Sequence, residues 1–370
     1  MIKFYDLQKI NQQYADELKQ AAQEVIDSGW YLFGEKVKNF EKSLQTYLSA
    51  SNVVTVGNGL DALKLIFQGY IEQGQMQRGD EVIVPANTYI ATILSILGAG
   101  LMPVFAEPSI NTYNLDLDNL ESKISKRTKA IIIVHLYGRA CWSSEMMSLA
   151  EKYGLKVIED NAQAIGASWG GIKTGTLGHA SACSFYPSKN LGALGDAGAV
   201  LTSDYQLAAI IRKLANYGSD EKYVHDLKGS NSRMDEIQAA FLDVKLKYLD
   251  SENQKRREFA TLYFENISHP LVVLPRISDP LQNQEHVWHL FVIRTAKRDA
   301  LKEHLLKNGI ESLIHYPTPP YKQKALKEYS YLHFPITDKI HQEILSLPLS
   351  QVSTSEEIHE ISEVINKFEQ

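Results

Sequence analysis

The stretch TKAIIIVHLYG, residues 128–138, decides the fold class, because it is an apolar run of strand length inside a repeating strand and helix pattern. A helical pattern follows near residues 144–153, and LKVIED at 155–160 is the next strand. Further strand-like runs are NVVTVGN at 52–58, EVIVP at 81–85 and MPVFAE at 102–107. This alternation predicts an α/β fold with a mostly parallel central sheet flanked by helices, and ligands at the carboxyl ends of its strands.

The last third of the chain has a different pattern. A long helical pattern begins near Asn231 and leads away from the strand and helix repeat. The remainder contains a strand-like run, HVWHLFVI at 286–293, and a helix near 298–307. We therefore predict a large domain at residues 1–245, which includes an N-terminal helix, and a smaller C-terminal α+β domain at 246–370.

The composition is that of an ordinary globular protein, with 370 residues, 44% hydrophobic and 22% charged. The net charge of −6 argues against a protein whose main partner is nucleic acid or an anionic membrane. The two cysteines, Cys141 and Cys183, lie in no metal-binding pattern, so we predict reduced thiols, no metal site and a cytoplasmic location. The longest apolar stretch, residues 89–107, is interrupted by Gly98, Gly100 and Pro103, which favours a buried helix and a strand over a membrane span.

Three features fall near predicted strand ends. Lys189, in SFYPSKN at 184–190, lies between two runs of small and apolar residues, although a single lysine is usually a surface residue. Asp160 ends the strand LKVIED and either faces a ligand crevice or caps a helix. The turn VTVGNGLDAL at 54–63 is either an anion site made of backbone N–H groups or a purely structural turn.

The same turn fits the G-x-G-x-x-A pattern of dinucleotide sites. Such a site requires an acidic residue at the end of the next strand, but EVIVP runs into Pro85. A phosphate group fits the turn without that acid. A lysine in an apolar setting, a strand-end carboxylate and a phosphate turn together indicate pyridoxal phosphate (PLP) chemistry.

Five stretches, in this order along the chain, resemble the DegT-type nucleotide-sugar aminotransferases, which are PLP enzymes. They are NGLDAL, PANTYIAT, VIEDNAQAIGA, CSFYPSKNLGALGDAGAV and GSNSRMDEIQAA. The resemblance spans nearly the whole chain and implies PLP fold type I, the aspartate aminotransferase-like fold.

The resemblance implies a role for each matching residue at the cofactor. Lys189 matches the catalytic lysine that forms a Schiff base with PLP, and Asp160 matches the partner of the pyridine nitrogen. Gln163 matches a residue near the ring hydroxyl or the lysine, although a glutamine there could also be a surface helix residue. Tyr89 matches the aromatic residue that stacks on the ring, with a plain core position as the alternative.

The resemblance also implies a phosphate cradle. Ser184 and the backbone of Gly59 and Leu60 match it, and Asn231 completes it from the second subunit of a homodimer with shared active sites. Many relatives carry Thr or Ser where this chain has Leu60, so only the backbone contact is expected there.

Substrate contacts are predicted in two regions. The basic loop at 216–233 is predicted to bind the diphosphate of the substrate. Each of its basic residues is also compatible with a solvated surface loop. Its candidate residues are Lys222, His225, Lys228 and Arg233. Three tyrosines, Tyr186, Tyr316 and Tyr321, are further candidates, and Tyr321 stands where relatives often carry His.

The implied reaction moves an amino group from glutamate to the keto carbon of a nucleotide-linked keto-deoxysugar. The motif NGLDAL resembles that of the family branch that acts at C-3 of dTDP-3-keto-6-deoxyhexoses. Action at C-4 is the alternative. The product would serve lipopolysaccharide or other surface glycans. Related sugar 3-dehydratases replace the lysine by histidine, so Lys189 argues against them. A catalytically silent PLP-binding regulatory protein and a nicotinamide-dependent sugar enzyme are hypotheses from other classes.

Overall fold

A seven-stranded sheet forms the centre of the computed structural model, which describes residues 1–369. The strands of the chain are β1 Asn52–Val56, β2 Glu81–Pro85, β3 Met102–Ala106, β4 Thr128–Val134, β5 Lys156–Asp160, β6 Ser168–Trp169, β7 Ile172–Lys173, β8 Ala180–Ser184, β9 Gly198–Thr202, β10 Phe291–Arg294 and β11 Ile344–Leu347. The central order is β1-β9-β8-β5-β4-β2-β3. Only β9 runs against its neighbours, and the other pairings from β8 to β3 are parallel. The predicted mostly parallel sheet is confirmed.

Helices cover the sheet and build the C-terminal part of the chain. They are α1 Leu7–Gln12, α2 Ala15–Ser28, α3 Glu35–Leu48, α4 Gly59–Glu72, α5 Ile90–Gly98, α6 Ser144–Tyr153, α7 Tyr205–Leu214, α8 Glu236–Leu246, α9 Leu249–Asn266, α10 Arg298–Lys307, α11 Pro335–Glu343 and α12 Ser355–Asn366. Short 3₁₀ turns lie at 121–123, 136–138, 320–322 and 324–329. Over residues 1–369, none of these helices is both long and apolar enough to cross a membrane.

The apolar run of β4 is continuous because both faces of the strand are covered. Ala130 and Ile132 pack into one hydrophobic cluster, and Ile131 and Ile133 pack into another. Alternate side chains of a strand point to opposite faces of its sheet, so a strand with helices on both sides has no polar face. This layering places the two ends of the sheet, rather than its faces, within reach of ligands.

A further hydrophobic cluster fills the C-terminal part. It lies between α9, α10, α12 and the antiparallel pair β10 and β11, and includes Phe291, Leu345 and Ile361. The domain boundary at residue 245 stays a prediction. One contact joins the two predicted domains at the N-terminus, because Ile2 forms a β-bridge with Ile310 of the C-terminal part.

Parallel pairing aligns the ends of the central strands. Val134, the last residue of β4, is paired with Asp160, the last residue of β5, and Asp160 is paired with Ala182 in β8. The chain after each of these strands therefore emerges at the same edge of the sheet.

Candidate active site

A cavity of about 460 Å³ lies at this edge of the sheet. Its lining contains seven of the residues predicted at the cofactor: Gly59, Leu60, Tyr89, Asp160, Gln163, Ser184 and Lys189. The predicted substrate residues Tyr186 and Tyr316 also line it. Residues from distant parts of the chain thus meet in one concave site, as expected for a binding site in an α/β fold.

Lys189 follows β8 in a turn in which its N–H donates to the carbonyl of Tyr186 at 2.8 Å. Its side chain is half-buried and faces the cavity. Burial lowers the pKa of Lys189 to about 8, and the nearby charge of Asp160 opposes that shift. A lysine with a lowered pKa holds a larger fraction of neutral amine near physiological pH, which is the form that attacks a carbonyl carbon.

Asp160 is buried at the end of β5 with its carboxylate directed to specific donors. The hydroxyl of Thr92 donates to Oδ2 at 2.8 Å, and the N–H of Ala162 donates to Oδ1 at 3.2 Å. Burial raises the pKa of Asp160, and these two hydrogen bonds oppose the rise. Residues 161–167 form turns rather than a helix, so the helix-cap alternative does not apply to Asp160. A buried carboxylate in a cavity that also holds a lysine is suited to a cationic ligand group.

The start of α4 forms one wall of the cavity. Asn58 caps this helix by accepting the N–H of Asp61 at 2.8 Å, whereas the N–H groups of Gly59 and Leu60 have no acceptor within residues 1–369. The helix start packs closely against β8, since a Cβ at Gly59 would lie 2.6 Å from the Cβ of Ser184. Two uncommitted N–H groups, a hydroxyl and the positive end of the helix dipole make an anion site.

An aromatic pair, Tyr89 and Tyr316, also lines the cavity. Tyr89 precedes α5, is 51% exposed, and its ring centroid lies 5.0 Å from that of Tyr316. Gln163 orients Tyr316, because its Nε2 donates to the Tyr316 hydroxyl at 3.1 Å while its Oε1 accepts the N–H of Tyr137 at 2.6 Å. Gln163 is buried, so the alternative of a surface glutamine is excluded.

Residues of the basic loop do not line the cavity of their own chain. His225 is exposed, with Nδ1 3.0 Å from the carbonyl of Tyr217. Arg233 lies between the rings of Phe33 and Tyr217, at 5.7 and 5.3 Å. Asn231 is exposed, and its side chain makes no hydrogen bond in the described part of the chain. The substrate roles of His225 and Arg233, and the cofactor role of Asn231, stay predictions that require a second subunit.

Tyr321 requires a correction. It is fully buried, its hydroxyl donates to Asp338 Oδ1 at 2.5 Å, and its ring packs edge-on against Phe105 and Phe334. The side chain fills the core beside the sheet and does not reach the cavity. The predicted substrate contact at Tyr321 is therefore wrong.

Four cavity residues or their supports were not predicted from the sequence. They are Thr88, Thr92, His289 and His315. Thr88 precedes α5 and Thr92 lies in its first turn, so no helical spacing relates them, although both lie in the stretch PANTYIAT that carries the resemblance. No local pattern brings His289 and His315 to Lys189, which is about a hundred residues earlier in the chain.

The site fits PLP on its own geometry. An amine with a lowered pKa, a buried carboxylate and an anion site at a helix start are the groups that hold an aldehyde, a pyridine nitrogen and a phosphate. All three open into the same cavity.

Comparison with known proteins agrees with this geometry. The chain is 50% identical over 368 residues to a protein of Aneurinibacillus thermoaerophilus named dTDP-3-amino-3,6-dideoxy-alpha-D-galactopyranose transaminase, covering 100% of this chain and 99% of that protein. The crystal structure of DesV from S. venezuelae, in complex with a ketimine intermediate, has a TM-score of 0.94 at 38% identity and covers 99% of this chain and 98% of its own. The structure of NtdA from Bacillus subtilis with bound cofactor PMP has a TM-score of 0.89 at 31% identity and covers 98% and 83%.

A family model also matches nearly the full length of the sequence, over residues 12–366. The family resemblance and the fold class inferred from the five motifs are confirmed. This chain belongs to the DegT/DnrJ/EryC1/StrS aminotransferase family.

Proposed function

We propose that this protein is a PLP-dependent aminotransferase that moves the amino group of glutamate to C-3 of a dTDP-linked 3-keto-6-deoxyhexose. The observation that carries the proposal is the meeting of Lys189, Asp160 and the start of α4 in one cavity. The name of the relative at 50% identity supports a dTDP-linked sugar and the C-3 position. In the reaction, glutamate and the keto-sugar give 2-oxoglutarate and the amino-sugar.

Lys189 and Asp160 carry the chemical steps of this reaction. PLP, when bound, supplies an electron-withdrawing ring that stabilises negative charge on the reacting carbon. Lys189 would hold the cofactor by its aldehyde carbon, and its free amine would serve as the group that accepts and returns the proton of the reacting carbon. Asp160 keeps the pyridine nitrogen protonated, because its carboxylate is buried and directed into the cavity.

The remaining residues hold the ligands in place. The N–H groups of Gly59 and Leu60 and the hydroxyl of Ser184 bind the phosphate at the helix start. Tyr89 offers an aromatic face, and Gln163 fixes Tyr316 beside it. Tyr186, which is 55% exposed at the cavity, contacts the nucleotide-linked sugar, and the basic residues His225 and Arg233 reach it from the second subunit.

The reaction with glutamate alone tests the proposal against a silent PLP-binding protein. Glutamate should bleach the yellow absorption of the lysine-bound cofactor and release an equal amount of 2-oxoglutarate, because the first half of the exchange requires no sugar. D-Glutamate is the matched control and should cause no change. A yellow protein that neither bleaches nor forms 2-oxoglutarate would be a PLP binder without this activity, and a colourless protein that responds to NADH would favour a nicotinamide-dependent enzyme.

The protein is proposed to act in the cytoplasm as a homodimer, in a pathway that builds surface glycans such as lipopolysaccharide. Asn231 fits such a dimer, because its side chain is exposed and makes no hydrogen bond within residues 1–369, so it is available to a partner subunit. Its neighbour Ser232 accepts the N–H of Gly57 at 3.0 Å and donates to Asp61 Oδ2 at 2.7 Å. We propose that Asn231 reaches the phosphate cradle of the partner subunit.

Subunit exchange tests this sharing of sites. Lys189→Ala and Asn231→Ala proteins should each be weak or inactive, and mixing them should restore activity. In a mixed dimer one site carries both substitutions and the other carries neither, so the expected activity is about half of wild type per mixed dimer. Native mass spectrometry confirms the exchange. Absence of recovery despite confirmed exchange would place Asn231 at its own chain's site or outside the active site.

A further inference from the structure

His289 is a buried residue of the cavity wall to which the proposed reaction assigns no role. It follows Trp288 in the segment that leads to β10, and one ring nitrogen, Nδ1, lies 3.1 Å from Oδ1 of Asn190. Asn190 is the residue directly after Lys189. A hydrogen bond therefore links the His289 ring to the turn that carries Lys189.

The hydrogen bonds of Asn190 fix which of its amide atoms faces the ring. Its Nδ2 donates to the carbonyl of Val287 at 3.1 Å and to Oδ1 of Asn253 at 2.8 Å. A carbonyl oxygen only accepts, so the atom near Val287 must be the amide nitrogen. Asn253 is fixed in the same way, because its Nδ2 donates to the carbonyl of Ile165 at 3.1 Å.

The tautomer of His289 follows from this chain of hydrogen bonds. Oδ1 of Asn190 can only accept, so Nδ1 of His289 carries a proton and donates it. Burial, followed by the charges of Lys189 and Arg256 and by His315 and His286, holds the pKa of His289 well below its usual range. The ring is consequently neutral, and Nε2 carries a lone pair.

Nε2 of His289 is open to the cavity. It makes no hydrogen bond within the described chain, but it is accessible to solvent. Nε2 of His341, in contrast, is both buried and without a partner. Since His289 lines the cavity and is only 7% exposed, the accessible edge of its ring faces the space that it shares with Lys189.

We propose that His289 is a positioning residue for Lys189, whose ammonium group donates a hydrogen bond to the unprotonated Nε2 of His289 while the lysine carries a proton. This inference rests on the proposed function, because only a lysine that carries a proton between carbons needs such a partner. Asp160 is less suited to this task, because the proposed function assigns its carboxylate to the pyridine nitrogen, and Thr92 and Ala162 also donate to it. A neutral acceptor stabilises the ammonium group and still allows the proton to leave.

The tautomer can be measured in the cofactor-free protein by ¹⁵N NMR of labelled histidines, with His289→Asn to assign the signals. We expect a neutral ring with the proton on Nδ1 and a bare Nε2 from about pH 6 to 8. An imidazolium ring, or a proton on Nε2, would overturn the inference. This measurement needs no activity and is independent of the proposed reaction.

The effect on Lys189 can be measured by trapping pyridoxal on the cofactor-free protein with cyanoborohydride as a function of pH, followed by peptide mapping. Loss of the acceptor in His289→Asn should move the inflection of labelling at Lys189 to lower pH by about one unit, equivalent to about tenfold in the protonation equilibrium. His289→Gln is the matched control, because its longer amide places an oxygen near the position of Nε2 and should restore most of the shift. Circular dichroism verifies that both variants fold.

The outcomes separate the two proposals. Label on Lys189 with the same inflection in all three proteins overturns the inference and leaves the proposed function standing. Absence of label from Lys189 overturns the proposed function and the inference with it. If neither variant folds, sequential NMR assignment of the wild-type protein identifies the His289 signal, and an imidazolium ring or a proton on Nε2 overturns the inference.

Discussion

Substitution of Lys189 by alanine should abolish transamination, with turnover reduced by about 10⁴-fold or more, because the variant loses both the amine that binds the aldehyde and the group that moves the proton. Binding of PLP should persist, since the helix start of α4 and Asp160 remain. The measurement is 2-oxoglutarate formation, together with the PLP content of the dialysed protein.

Lys245 is the matched control for this prediction. It is also buried with a pKa lowered by burial to about 8, but it donates to the carbonyl of Gly192 and does not line the cavity. Borohydride reduction of the yellow wild-type protein should therefore label Lys189 and not Lys245. Label on Lys245, or on any other lysine, would overturn the assignment, and so would near-normal turnover in Lys189→Ala.

Replacement of Asp160 by asparagine should lower turnover by about 10²- to 10³-fold, the usual loss when one preorganised electrostatic contact is removed. Asparagine has nearly the same size and can still accept from Thr92, so the fold and the local packing should survive. The negative charge that keeps the pyridine nitrogen protonated would be lost. The rate of bleaching by glutamate in a single turnover measures the effect directly.

Asp196 provides the comparison for Asp160, because it is an exposed carboxylate that lines the same cavity. Asp196→Asn removes one negative charge from the cavity without touching a buried group, so it should change the single-turnover rate far less. Equal losses in the two variants would mean that overall cavity charge, rather than the position of Asp160, controls the reaction. Normal turnover of Asp160→Asn with PLP bound would remove its proposed role.

Local sequence was sufficient for those parts of the site that follow a strand. Asp160 was predicted because it ends a buried apolar run, and Lys189 because it interrupts two such runs. Parallel pairing then brings both strand ends to one edge, which is a general property of this class of sheet. The reversed direction of β9 was not predictable, because a short apolar strand has the same pattern in either direction.

Parts of the site that depend on distant contacts were missed or misplaced. His289 reaches Lys189 through hydrogen bonds among Asn190, Asn253 and Val287, and no sequence period encodes such a path. Tyr321 was predicted as a substrate contact because it follows a proline run, but its ring packs in the core beside Phe105 instead. Burial in a specific core depends on the whole fold rather than on neighbouring residues.

The central claim is that the protein installs an amino group at C-3 of a dTDP-linked keto-sugar, and product analysis tests it most directly. Purified protein is incubated with PLP, ¹⁵N-labelled glutamate and a panel of dTDP-linked 3-keto and 4-keto-6-deoxyhexoses, with Lys189→Ala as the control, and the sugar products are examined by NMR. We predict ¹⁵N bonded to C-3 of the sugar, an equal amount of 2-oxoglutarate and no product from the control. Nitrogen at C-4 would contradict the assigned position, and the absence of any aminated sugar across the panel would contradict the proposed function.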